Sequence, residues 1–341
     1  MAAGVWVATA STWTTNTTVI VDDNDDALLI DPALTPAELD AIALAIEAKG
    51  WRIVAGASTH PHFDHMLWSR SLDQASWGDC PRFASPRAVD AAEQRADLTW
   101  AEACRTTPGL DRRRFARLTR LGSAVGAPPG RTVPLLPPAP VGVSAMIHDG
   151  HAPGHMAIIA RGVLVAGDML SDTEIPLLDL GPHGDGRDGP YDPVGDYLLA
   201  LDCLWKTVLD FPIEVLVPGH GTVARGQEAI MARIQNDRIY LHELTKAAKP
   251  VAQPWSRVCA NPKCWCPAAR ANASSAASEE GAPVADATSA DAVHARDLGA
   301  PRTVPQTLAD PRLTDPRLAD PEMAAAHTRH LQYLAANWRQ R

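Results

Sequence analysis

The chain has 341 residues, 46% of them hydrophobic and 21% charged, with a net charge of −9, enough for one large core plus an appendage or a second domain. The acidic balance gives no electrostatic footprint for nucleic-acid phosphates, and no run of 18 apolar residues marks a membrane span, so neither nucleic acid nor membrane is an expected partner. The opening MAAGVWVATASTW lacks a basic leader region, and six cysteines in a chain this long do not suggest a disulfide framework, so a cytoplasmic protein is expected.

In chain order, GVWVATA, TTVIVDD and ALLID read as short strands, rich in Val, Ile and Thr with Asn and Asp between them. A punctuated helix follows. Thr35 is placed to cap it, Pro36 takes the first helical position and Glu38 completes a capping box. Leu39, Ile42 and Ile46 form its apolar stripe, and Gly50 stops it. RIVAGAST is a further strand, and STHPHFDHM begins where it ends. His60, His62, Asp64 and His65 therefore sit on a loop at the C-terminal edge of a strand.

Residues of about 86 to 128 read as helical, broken near Pro108–Gly109, and this insertion is expected to cap the cleft. GAPPG and LPPAP mark loops. AMI ends a strand, HDGHAPGH is a loop, and MAIIA and VLVAG form a hairpin over Arg161–Gly162. Asp168 follows that hairpin. IEVLV is one more strand, with His220 in the PGHG behind it, and a helix runs from about Arg225 to Ala248. These elements place a catalytic domain over 1–250. Residues 251–300 are Ala/Ser-rich and read as a disordered linker, and 301–341 form an extension with a short DPRL-like repeat and a terminal helix that could pack on the main domain.

The chemistry gathers at the element ends. His60 and His62, two apart in extended chain, face one way and can bind one metal together. Asp64 and His65 can turn toward a second. His155 in HAPGH, Asp168 in AGDM and His220 in PGHG bring nitrogen and oxygen ligands to the same edge. Seven such ligands without a cysteine suit two zinc ions, with iron or manganese as alternatives. Paired ions about 3.5–4 Å apart share a hydroxide and an aspartate bridge, and zinc lowers the pKa of bound water to about 7.

His60-x-His62-x-Asp64-His65, then Gly-His at His155, Gly-Asp at Asp168 and Gly-His-Gly at His220, resemble the metallo-β-lactamase-fold hydrolase superfamily, its glyoxalase II and lactonase-like group in particular. LLIDP, ending in Asp31, is similar to a strand of that family, and the resemblance spans about residues 5 to 250. It implies an α/β fold, an αββα sandwich with the site at one edge of its sheets. It further implies that His60, His62 and His155 hold one metal, that Asp64, His65 and His220 hold the other, and that Asp168 bridges. Asp31 would stand behind the ligands, and Asp64 would also act in catalysis, orienting the hydroxide or carrying a proton to the leaving group.

The expected activity is cleavage of an ester, thioester or lactone bond of a small molecule by a dizinc-bound hydroxide. Oligomeric state stays open. Asp168 disfavours β-lactamases with a Cys ligand at that place, and the absence of a Glu at His62 and of a flavin domain disfavours the di-iron branch. DHM-L departs from the frequent DHxGG, and no basic glutathione-binding residues are found. The alternative is a mono-iron, persulfide dioxygenase-like oxidoreductase, disfavoured because GDMLSDTEIPLLD carries no arginine. His148, His151, His183, His242, His294, His327 and His330 are read as structural. Cys259, Cys264 and Cys266 do not match a standard zinc spacing. Trp68, Trp77 and Trp100 are read as core packing, with an aromatic pocket wall as the other reading.

Overall fold

The computed structural model describes residues 2–76, 79–181, 192–248 and 315–337. The expected linker at 251–300, Cys259, Cys264, Cys266, His183, His294 and Trp77 lie outside the described residues.

Among those residues, the strands make two six-stranded sheets. The first runs in sequence order: β1 (Val5–Thr9), β2 (Asn16–Val21), β3 (Asp26–Ile30), β4 (Arg52–Ala57), β5 (Arg82–Ala84) and β6 (Thr119–Arg120). The second contains β7 (Thr132–Pro134), β8 (Ser144–His148), β9 (His155–Ala160), β10 (Val163–Gly167), β11 (Val215–Pro218) and β12 (Ala224–Arg225), again neighbour to neighbour. The helices are α1 (Pro36–Ala48), α2 (Arg70–Ala75), α3 (Pro86–Gln94), α4 (Ala96–Thr106), α5 (Pro193–Asp210), α6 (Gln227–Ala248) and α7 (Pro321–Asn337).

The period-two alternation of each strand sorts its side chains into two layers. Ile20, Leu28 and Ile30 of the first sheet meet Met156, Ile158, Val163, Val165 and Val217 of the second between the sheets. Their neighbours Val19, Leu29 and Ile53 face outward under Leu39, Ile42 and Ile46 of α1 and Leu72 of α2. On the other side, Ala157, Leu164 and Leu216 lie under Leu201 of α5, Ile234 of α6 and Leu331 of α7. Covered on both faces, the central strands are apolar almost throughout. The result is the expected αββα sandwich, with α7 in one outer layer.

Local signals hold where short-range chemistry decides. Thr35 Oγ1 accepts from Glu38 N at 3.2 Å, and Glu38 Oε2 accepts from Thr35 N at 3.0 Å. Partial burial works against ionisation of Glu38, but hydrogen bonds from Ser11 and Thr35 win and hold its carboxyl down to about 2. The β9–β10 hairpin turns through Arg161 (φ 50°) and Gly162 (φ 75°), the two left-handed residues that a two-residue primed turn needs.

Two elements differ from expectation. The helical stretch ends at Thr106, and its break falls at Arg95 between α3 and α4. Beyond Pro108–Gly109 the chain forms turns, and β6 joins β5 in parallel through Phe83 and Thr119. Helix α5, 18 residues long, was not anticipated. It carries its own start signal, Asp192 accepting from Gly195 N at 3.0 Å with Pro193 behind it. No helix among the described residues is long and apolar enough to cross a membrane.

Candidate metal centre

Strand ends deliver the polar residues to one edge of the sandwich. His60 to His65 follow β4, Asp168 follows β10, His220 follows β11, and His151 lies in the loop between β8 and β9. One group of ligand atoms comes from His60, His62, His151 and Asp168. A second comes from Asp64, His65 and His220, and a third joins Asp168 and His220 to Glu174. Within each group all atoms lie within 4.8 Å of one another. Asp168 stands between the first two, with Oδ2 3.3 Å from His60 Nε2 and 3.4 Å from His220 Nε2, and Oδ1 3.0 Å from His65 Nε2.

The groups behind the imidazoles decide which nitrogen faces inward. A carbonyl oxygen can only accept, so His151 Nδ1, 3.1 Å from Leu177 O, carries the proton and leaves Nε2 free to face the cluster. His220 is fixed in the same way by Trp13 O, 3.0 Å from its Nδ1. Asp31 accepts from Thr59 N at 2.8 Å and from Thr59 Oγ1 at 2.6 Å. With its proton given to Asp31, Thr59 Oγ1 is left as an acceptor for His60 Nδ1, 3.0 Å away. Asp31 Oδ2 also lies 3.0 Å from His65 Nδ1. Carbonyls and carboxylates behind metal-ligating imidazoles are the usual way of orienting them.

The inward nitrogens confront one another. His62 Nδ1 is 3.1 Å from His60 Nε2 and 3.0 Å from His151 Nε2, and His65 Nε2 is 3.4 Å from His220 Nε2. Asp168 Oδ1 is buried with His65 Nε2 at 3.0 Å but no well-aligned hydrogen bond. Lone pairs converging at this spacing suit a divalent cation of borderline softness, and the donor set fits one or two such ions.

The structure brings His60, His62, Asp64, His65, Asp168 and His220 together, with Asp31 behind them, but not His155. His155 begins β9, where it pairs with His148. Its Nδ1 lies 3.2 Å from His148 Nε2, and its ring stacks on His60 at 4.9 Å, so it sits one layer behind the cluster. A Cβ on Gly167 would strike His155 Nε2, so a bare glycine is what lets that ring fit. His151, read from sequence as structural, takes the place at the cluster. Its left-handed backbone (φ 71°) turns it out of the loop, a conformation its position in DGHAPG does not announce.

Electrostatics divide the cluster. Burial and the neighbouring imidazoles push His62 well below the usual histidine range, and burial takes His151 down to about 3. Burial disfavours charge on His65 and His220 too, but Asp168 and the other carboxylates around them outweigh it and hold both well above that range. Asp64 and Asp168 are correspondingly held low against the cost of their burial. Burial, with Asp168 and Asp64 nearby, pushes Glu174 up to about 7.

A sequence profile of the metallo-beta-lactamase superfamily matches residues 11–103. Among solved structures, a beta-lactamase domain protein from Burkholderia ambifaria is 19% identical with a TM-score of 0.50, covering 73% of this chain and 76% of that one. A metallo beta lactamase from Hirschia baltica is 20% identical (TM-score 0.43; 69% and 94% covered). The metallo-beta-lactamase FIM-1 from Pseudomonas aeruginosa, in its mono-zinc form, is 16% identical (TM-score 0.45; 71% and 94% covered). No curated protein matches the chain by sequence.

The fold is that of the metallo-β-lactamase superfamily.

In this metallo-β-lactamase fold the cluster floors a cavity of about 500 Å³. Trp13, Phe63, Glu102 and Leu177 form part of its wall, and α7 supplies Met323, Ala326 and Arg329. Trp13 and Glu174 were not singled out in the sequence, and Trp13 follows β1 with no motif around it. Helix α7 falls where the sequence placed a terminal helix, but its share in the cavity wall was not foreseen. Trp68 is buried, donates from Nε1 to Asp73 at 2.9 Å and packs in the core. His327 and His330 are buried against Tyr240, as the structural reading expected.

Proposed function

We propose that the chain is a metal-dependent hydrolase holding two zinc ions, which cleaves an ester, thioester or lactone bond of a small molecule. The observation that carries this is the pair of ligand groups sharing the Asp168 neighbourhood at the floor of an open cavity. On this reading His60, His62 and His151 hold one ion and Asp64, His65 and His220 the other, with Asp168 between them. Bound zinc supplies water acidified to a pKa of about 7 and a Lewis acid for the carbonyl. The protein's part is to fix the ligands. Leu177 O, Trp13 O, Thr59 and Asp31 set which imidazole nitrogen points inward, and Trp13, Phe63 and Leu177 keep part of the wall apolar. Asp64 Oδ2, 3.2 Å from both His65 Nε2 and His220 Nε2 and beside the cavity, is the chain's carboxylate for orienting the attacking water and passing a proton to the leaving group.

Metal analysis of purified protein by mass spectrometry, beside His62→Ala, tests this. Near two zinc per chain, falling in the variant, with turnover of esters, thioesters or lactones, is the expected result. About one iron per chain without hydrolysis would overturn it.

A further inference from the structure

The wall that α7 gives to the cavity is a fixed part of the site. Its anchor is Arg317, only 7% exposed, in the short turn before the helix. Arg317 Nη1 donates to Asp237 Oδ1 of α6 at 2.6 Å, to Glu174 O at 2.9 Å and to Ser171 O at 3.3 Å, while Nη2 donates to Asp315 Oδ2 at 2.7 Å. One guanidinium thus ties the extension both to α6 and to the loop that leaves Asp168. Ser171 Oγ in that loop donates to His220 O at 2.9 Å. A second tie follows: Leu178 N donates to His330 Nε2 at 3.2 Å. Met323, Ala326, Leu331 and Leu334 are buried in the same layer. The helix cannot slide without breaking a buried charge pair.

Arg329 stands on the cavity side of this helix. It is exposed, lines the cavity and has no carboxylate partner among the described residues. It is also the only lysine or arginine lining the cavity among those residues. Glu322 is two turns away along the axis, about 10 Å, outside the three- and four-residue spacing that pairs side chains on a helix. Glu102 across the cavity has Arg105 for its cation, and burial together with Asp64 raises its carboxyl. On α7 the cavity-lining neighbours of this guanidinium are Met323, Ala325, Ala326 and, two turns away, Glu322, so it is free to take a carboxylate or phosphate through two parallel N–H bonds.

We propose that Arg329 is a specificity residue that binds an anionic group of the substrate away from the bond being cleaved, so that the favoured substrates are esters or thioesters with an acidic tail. The substrate class rests on the hydrolase reading; the anion site itself does not.

The experiment uses full-length, zinc-loaded protein and four thioesters of one thiol with six-carbon-scale acyl chains: hexanoyl, adipoyl, 6-aminohexanoyl and a phosphonate-ended analogue. Adipoyl or phosphonate should be preferred over hexanoyl, and the better of the two identifies the anion. Arg329→Ala should raise KM for the anionic thioester about 10–100-fold, far more than for hexanoyl, and Arg329→Glu should shift preference toward 6-aminohexanoyl. Metal content should stay at the wild-type level. No anionic preference, or one that survives Arg329→Ala, overturns the proposal. If the wild type cleaves none of the four, the hydrolase reading fails, and calorimetry decides the anion site alone. Adipate binding more tightly than hexanoate to wild type, with the advantage lost in Arg329→Ala, supports it; equal binding overturns it.

Discussion

Two histidines four residues apart, each after a glycine, separate what a motif can say from what a backbone decides. His151 and His155 both satisfy the pattern, and only the left-handed turn at His151 and the strand register at His155 decide which of them reaches the cluster. The difference is measurable. His151→Ala removes a nitrogen 3.0 Å from His62 Nδ1, and on the proposed two-zinc reading zinc content should fall toward one ion per chain with the fold intact. His155→Ala instead empties space behind His60 and should chiefly lower the melting temperature while zinc remains. The reverse outcome, zinc lost with His155 and kept with His151, would return the ligand role to the residue read from sequence. The rest of the cluster was legible because each member terminates an element with its own signal: His60 to His65 after β4, Asp168 after β10, His220 in a Gly-flanked loop after β11. Asp31 was legible for the same reason, as the end of β3. Glu174 and Trp13 were not, since neither lies in a pattern and only tertiary packing brings them to the cavity.

The ties between elements account for how separate strand ends hold one geometry. Asn16 at the start of β2 is nearly fully buried and donates from Nδ2 to Pro218 O at 3.0 Å and to Gly221 O at 2.9 Å, while its own N donates to Gly219 O at 2.7 Å. The first sheet thereby grips the loop carrying His220 on both sides. Gly219 has no room for a side chain, because a Cβ there would collide with Asp168 Oδ1. Asn16→Ala leaves two buried carbonyls unpaired, which costs about 1–3 kcal/mol. A lower melting temperature together with weaker zinc retention in a chelator titration is expected. Unchanged zinc retention would mean that Trp13 O and Thr15 Oγ1, 3.0 and 3.3 Å from His220 Nδ1, hold His220 without help from Asn16. Such cross-sheet ties leave no trace in hydrophobic periodicity. Periodicity and caps gave α1, α6 and the hairpin, where signals are local, but over-extended the helix beyond Thr106, where β6 joins the first sheet instead of continuing it.

At the scale of the whole molecule, the far end of the chain closes back on the site, and acid should test that closure. His330 accepts from Leu178 N and lies beside Tyr240 Oη, buried to 3% exposure. Burial, with His327, Arg329 and His151 nearby, pushes it down to about 3. The unfolded chain protonates the same histidine near the ordinary value of about 6.5. Between these two values the unfolded state therefore binds more protons, so stability is full above about pH 6.5 and falls as pH drops toward 3. Protonation in place would also turn the acceptor of Leu178 N into a donor. The buried histidines and carboxylates of the cluster titrate as well, so the test is a difference. Urea midpoints of the wild type and of His330→Gln, whose amide oxygen can replace Nε2 as acceptor, are compared from pH 7 to pH 3. The wild type should lose stability more steeply, by up to about 1.4 kcal/mol per pH unit. Tyr333 and Leu334 of α7 should become more protease-accessible over the same window if the helix leaves as a unit. Parallel pH profiles for the two proteins would show that α7 is held by Arg317 and its apolar face alone, with His330 a passenger in the interface.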